Sequence, residues 1–198
     1  MKGRDNMNRK KIYIMMVGLP GSGKSITTRQ LRLHMEDTYN LRVSTVNVDQ
    51  INKRLFGSRF SRENKTGRDE YFTKVRLWAE SEVYDVMIDD SVNLNAFSRL
   101  GILKYLRTKD DVVICAINFN RDYKFCTIHA EENAKYGAEP VPPAMMKGLF
   151  RNFQQPIYAE KFDCIFHIDG SHKVKPEKFI QKVAEYTDVF NERKDENK

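Results

Sequence analysis

The sequence predicts an α/β protein: a five-stranded, mainly parallel sheet with helices on both faces. Three observations carry this reading. Five short apolar runs recur along the chain, with helix-like segments between them. The first run ends in a glycine-rich loop, Gly18-Leu19-Pro20-Gly21-Ser22-Gly23-Lys24-Ser25, that leads into one of those segments. The apolar residues of several intervening segments repeat at helical spacing.

Taken in order, Lys11–Val17 reads as the first strand and Lys24–Met35 as the first helix. Arg42–Val48, rich in Val and Thr, is the second strand, followed by a helix-like Gln50–Phe56. Gly57–Gly67 is polar, basic and turn-forming, and reads as a mobile loop. Tyr71/Phe72, Val75 and Trp78/Ala79 step at helical spacing and predict a core-facing stripe. Val83–Asp89 is the third strand, Val112–Asn118 the fourth and Asp163–Ile168 the fifth. Between the last two, Arg121–Arg151 reads as a helix–loop–helix lid with a mobile Gly137–Pro143 loop. Pro142-Pro143 suits the first turn of its second helix. Two further stripes, Met145/Met146, Leu149/Phe150, Phe153 and Phe179, Val183, Tyr186, Phe190, are expected to dock on the sheet.

The length of 198 residues suits one domain with a sizeable core, expected over 11–190, with a flexible basic start (1–10) and a flexible charged tail (191–198). Hydrophobic content is 40% and charged content 31%, and no apolar run approaches the length of a membrane span. The basic start lacks the apolar stretch of a secretion signal. Cys115, Cys126 and Cys164 are odd in number and lack metal-ligand spacing, so a reduced, cytoplasmic protein without structural zinc is expected. The net charge is +7, and the stretch 53–76 holds eight basic residues against three acidic ones. Such a local cationic field favours a polyanionic or phosphorylated partner, although a solvated loop and helix face would show the same composition.

The glycine-rich loop matches Walker A in full. Its glycines let successive N–H groups point at phosphate oxygens, at the N-terminus of a helix. Lys24 is placed to reach the β- and γ-phosphates and the Ser25 hydroxyl to hold Mg²⁺. Gly18, Pro20, Gly21, Ser22, Gly23, Lys24, Ser25 and Ile26 are therefore the expected nucleotide-binding residues, and ATP with Mg²⁺ the expected ligands. In an open parallel sheet the remaining chemistry collects at the carboxyl ends of the strands. The second strand runs into Asp49, a candidate general base for an acceptor hydroxyl or a helix N-cap. The third closes on Asp89-Asp90, where an acid would sit near Mg²⁺; alternation sends the two to opposite sides and leaves open which one faces the metal, with Asp89 the first candidate beside Ser25. The lid is expected to neutralise the moving phosphoryl group through one of Arg121, Lys124, Lys135, Lys147 or Arg151, with His129 as a further candidate; Arg121 and Lys135 are the leading ones.

These residues resemble the P-loop kinases typified by the polynucleotide 5′-hydroxyl kinases, a group that includes zeta-toxin-like enzymes. The resemblance rests on the Walker A loop, on Asn47-Val48-Asp49, on Val86-Met87-Ile88-Asp89-Asp90-Ser91 with Asn93-Leu94-Asn95, on Val141-Pro142, and on Phe153-Gln154-Gln155-Pro156 with Glu160-Lys161-Phe162-Asp163. It implies a three-layer P-loop NTPase fold with a helical lid, Asp49 as general base and Asp90 as a substrate-binding carboxylate. It implies a substrate contact near Asn52, one or two positions before Lys53 and Arg54; these two, with Arg59 and Arg62 of the basic stretch and with Asn93, join Asp49 and Asp90 as expected substrate-binding residues. The lid departs from the family: His129-Ala130-Glu131-Glu132-Asn133-Ala134-Lys135-Tyr136 stands where the family carries arginines.

Lys24, Asp49 and Asp90 are thus the expected catalytic residues of an ATP-dependent kinase acting on a nucleic-acid hydroxyl, a polynucleotide 5′-OH or a hydroxymethylated base. Phe56 and Phe60, among the 53–76 cations, are the expected base-stacking residues. A kinase of nucleosides, nucleotide-sugars or other metabolites, and a nucleotide-binding regulator without transfer activity, are the alternatives.

Overall fold

The computed structural model describes residues 11–60, 64–170 and 175–192. Five parallel strands form one sheet: β1 (Lys11–Val17), β2 (Val43–Val46), β3 (Val86–Asp89), β4 (Val112–Asn120) and β5 (Cys164–Asp169). Their order is β2-β3-β1-β4-β5. The eight α-helices of the described residues are α1 (Lys24–Tyr39), α2 (Val48–Phe56), α3 (Asn64–Glu80), α4 (Ala96–Leu106), α5 (Tyr123–Lys135), α6 (Pro143–Arg151), α7 (Pro176–Val183) and α8 (Val189–Glu192). The predicted five-stranded sheet with helices on both faces is the observed fold.

β1 is central and buried on both faces, which is why it reads as a continuous apolar run. Its alternate residues feed two cores. Ile12, Ile14 and Met16 pack with Leu31 and Met35 of α1 and with Phe179, Val183 and Phe190. Tyr13, Met15 and Val17 pack on the opposite face with Tyr71, Val75 and Trp78 of α3 and Ile102 and Leu106 of α4. Both the Tyr71–Ala79 and the Phe179–Phe190 stripes dock as expected. The α6 stripe does so only in part: Met146 is buried, while Phe150 is exposed and meets Tyr123 of α5 edge to face at 5.3 Å.

Several boundaries differ from expectation, among them those of β3 and α3. β3 starts at Val86, because Val83 and Tyr84 are exposed ahead of the sheet. α3 starts at Asn64, so Gly67 belongs to a helix and not to a loop. A Cβ on Gly67 would lie 2.0 Å from Asn52 Oδ1, so glycine here lets α3 cross closely over α2.

The register brings the functional ends level. Met15 pairs with Asp89 and Val17 with Asn118, so β1, β3 and β4 deliver their following loops to one edge. Arg99 of α4 fixes part of that edge. Fully buried, it pairs with both Glu160 oxygens at 2.7 Å and donates to the carbonyls of Asn93 and Gln154. It thereby fastens the turn after β3 to the segment before β5. Arg99→Ala strips a partly buried carboxylate and several carbonyls of their donor. We expect the unfolding free energy to fall by about 3–5 kcal/mol in denaturant titrations; a loss below about 1 kcal/mol, the scale of one net hydrogen bond, would contradict that role.

Candidate functional site

The phosphate loop is shaped by β1 ending and α1 beginning within a few residues. Gly21 (φ 77) and Gly23 (φ 99) adopt left-handed backbone that side chains disfavour. Gly18 is crowded: a Cβ there would lie 2.8 Å from Ser22 Oγ and 2.9 Å from Phe119 Cβ. At Gly21 the crowding comes from the lid, since a Cβ would lie 2.1 Å from the Cys126 carbonyl oxygen and 2.7 Å from the Ala130 nitrogen. The main chain of α5 therefore rests directly on the loop.

Lys24 is buried, and its Nζ donates to the Gly18 and Leu19 carbonyls at 2.8 Å each. Burial lowers its pKa, opposed by Asp90 and Asp49. Asp90 is buried too; burial raises its carboxyl above the ordinary aspartate value, opposed by the Ser25 hydroxyl and the Lys24 ammonium. Its Oδ1 has no hydrogen-bond partner among the described residues. A hydroxyl beside an unpartnered carboxylate oxygen is a hard-oxygen pair suited to Mg²⁺.

Asn47 sets the opposite wall. Its side-chain oxygen caps α2 by accepting from Gln50 N at 3.1 Å, and its Nδ2 donates to the Asp90 carbonyl at 2.7 Å. Ser91 Oγ accepts from Val48 N at 3.1 Å. These ties hold the first turn of α2, which carries Asp49, against the end of β3. Since Asn47 is the cap, Asp49 is left for other work. Burial raises the Asp49 carboxyl above its ordinary value, with Lys24 and Arg59 opposing.

A cavity of about 910 Å³ lies between these parts and the lid. Pro20 to Ile26, Asp49, Lys53, Arg59, Asp90 and Arg121 all line it, so most residues expected from the sequence share one chamber. Arg121 stacks over Phe125 at 5.1 Å from the ring centre, and Phe125 stacks on His129 at 4.0 Å.

Several expectations are corrected. Asp89 does not face the cavity: fully buried, it accepts from Tyr13 OH, Tyr71 OH, Asn93 Nδ2 and Ser91 N, which leaves it no place at a metal. Asp90 takes the position beside Ser25. Asn93 donates to Met16 O and Asp89 instead of lining the chamber. Arg54 turns to Glu70 of α3 in a surface ion pair. Lys135 is exposed at the end of α5, off the face that carries Phe125, His129 and Asn133. Gly18 shapes the loop from behind without lining the cavity. Arg62 lies outside the described residues. Of the expected stacking residues, Phe60 is half-buried beneath the Arg59 guanidinium at 4.5 Å. Sequence reasoning missed Phe119, Asn133, Tyr136 and Glu139, all of which line the cavity. Only the helical phase of Phe125, His129 and Asn133, four residues apart, carried a usable signal for the lid face.

A phosphate loop at the end of the central strand, two carboxylates facing it and a helical lid define a nucleotide-binding P-loop protein with a kinase-like fold. The chain belongs to the family described as chromatin associated protein KTI12, whose model matches residues 13–197. No curated protein shows a significant sequence match to it. Among solved structures it is similar to a candidate kinase from Chloroflexus aurantiacus, at 14% identity over 90% of this chain and 96% of that one, with a TM-score of 0.67. It is similar to Chaetomium thermophilum Kti12 in complex with ADP-AlF3, at 17% identity over 87% and 99% of the two chains, TM-score 0.63. A fungal RNA kinase matches at 15% identity over 92% and 89%, TM-score 0.59. At such identities the likeness concerns the fold. Among the described residues no helix is long and apolar enough to cross a membrane.

Proposed function

We propose that the chain is an ATP-dependent kinase that transfers the γ-phosphate to a hydroxyl of a nucleic acid, a polynucleotide 5′-OH or a hydroxymethylated base. The observation that carries this reading is the position of Asp49, in one cavity with the phosphate loop, Lys24 and Asp90. The loop amides and Lys24 would hold the β- and γ-phosphates, and Ser25 with Asp90 would hold Mg²⁺. The metal supplies charge neutralisation on the phosphate oxygens when bound. Asp49 takes the proton of the acceptor hydroxyl as that oxygen attacks. Arg121 and the Phe125 face of the lid close the chamber against water.

ATP as phosphate donor is supported by the ADP-AlF3 held in the Chaetomium protein. A nucleic-acid acceptor is supported by the RNA kinase among the fold neighbours and by Lys53 and Arg59, two cations on the cavity wall. A nucleotide-binding regulator without transfer activity is the second reading, favoured by a lid that presents Phe125, His129 and Asn133 to the chamber. Labelled γ-phosphate transfer to 5′-OH DNA, 5′-OH RNA, hydroxymethylated duplex and free nucleosides decides among them. Transfer to an oligonucleotide that weakens steeply with salt supports the nucleic-acid acceptor. Transfer to nucleosides alone points to a small-molecule kinase, and retained ATP binding with no transfer to any acceptor points to the regulator.

The acid limb of the pH profile is a further prediction. The base must be deprotonated to act, and burial raises Asp49 above the ordinary aspartate value. Transfer measured as kcat/KM should therefore fall, as pH drops, at a higher pH than an exposed aspartate would give. A profile flat down to the ordinary aspartate range would remove Asp49 as the titrating base.

A further inference from the structure

Glu139 lies in the loop between α5 and α6 and reaches across the mouth of the chamber to the turn that follows α2. Ser58 Oγ donates to Glu139 Oε1 at 2.5 Å, and the Arg59 main-chain N–H donates to Oε2 at 3.0 Å. The Arg59 guanidinium donates to the Glu139 carbonyl oxygen. The Ser58 hydroxyl and the Arg59 amide hold the Glu139 carboxyl below the ordinary glutamate value, with Arg59 and Lys53 adding their charge. Arg59 Nε is buried and has no acceptor among the described residues.

A hydroxyl, a main-chain amide, two cations and an unused guanidinium donor receive a phosphate as readily as a carboxylate. The cradle adjoins the proposed base, because Arg59 and Glu139 both act on the Asp49 carboxyl. Asp49, Lys53, Arg59 and Glu139 line the same cavity, and Ser58 adjoins it through its bond to Glu139.

We propose that Ser58, Arg59 and Lys53 form an anion subsite that Glu139 occupies from within the chain, and that a phosphate of the acceptor enters by displacing it. The acceptor class is then a nucleotide unit that carries a phosphate as well as the reactive hydroxyl. The lid segment 136–142 is released as that phosphate binds, so loading of the acceptor and opening of the mouth are coupled. This deepens the kinase reading and rests on it.

The full chain, loaded with Mg²⁺ and a β,γ-imido ATP analogue so that the phosphate loop is filled, is titrated with thymidine 3′-phosphate and with thymidine. Glu139→Gln and Glu139→Ala should bind the 3′-phosphate about tenfold tighter than the unaltered chain, the scale of one charge-assisted competitor. Thymidine should bind all three alike, and adding Ser58→Ala to Glu139→Ala should cancel part of the gain. Amide hydrogen exchange in 136–142, read without nucleotide, should rise in Glu139→Ala and in the unaltered chain saturated with thymidine 3′-phosphate. Equal affinity in all three proteins, an equal gain for thymidine, or exchange in 136–142 that neither change moves would each overturn the proposal. Failure of the analogue to bind would instead strike the nucleotide site itself, and the exchange measurement would still judge the role of Glu139.

Discussion

Lys24→Ala is expected to lower phosphoryl transfer by roughly 10³-fold or more and to weaken triphosphate binding, because it removes the one ammonium seated inside the phosphate loop. Its Nζ stands 2.8 Å from two loop carbonyls, Gly18 and Leu19, so the charge is held in place before any phosphate arrives. Burial disfavours that charge and lowers the Lys24 pKa, and Asp90 and Asp49 oppose it in part. The same bonds tie the loop to α1, so the substitution also removes a local brace. Lys24→Met keeps most of the side-chain volume but neither the charge nor the two bonds, so transfer should stay lost in it as in the alanine variant. Calorimetric binding of an ATP analogue and labelled transfer check both, and full activity in either variant would contradict the assignment.

Asp49→Asn should spare ATP binding and lower transfer by roughly 10²–10⁴-fold, the usual range for loss of a general base. The exchange is nearly isosteric, and the N-cap of α2 is Asn47, so the helix that presents the residue keeps its start. The outcome therefore reports on chemistry and not on folding. The acid limb of the pH profile should disappear with it. An unchanged rate would take Asp49 out of the mechanism and leave Asp90 as the carboxylate to examine.

Much of this site was legible because its signals are local. The phosphate loop, the strand before it and the helix after it are contiguous, and Asp49 follows a strand whose end had to lie at the same sheet edge. What escaped depended on distant partners. Nothing near Asp89 reveals that Tyr13 and Tyr71, from β1 and α3, both donate to it, and so strand alternation alone left the two aspartates unordered. Lys53 and Arg54 differ by about 100° of helix phase, which sends one to the chamber and the other to Glu70. Gly67 read as a turn residue because its reason for being glycine lies on another helix, at Asn52. Glu139 is a single acid in a loop, and its partners are 80 and 81 residues upstream.

The bare approach of α5 to Gly21 has a consequence for turnover. Where backbone meets backbone, no side chain can swing aside to admit a ligand, and the helix has to lift as a body. On the kinase reading, spent nucleotide would leave by that same movement, which makes opening of a rigid hinge a step that turnover has to include. Alanine at this position would prop the hinge permanently ajar, trading faster release for a leakier chamber.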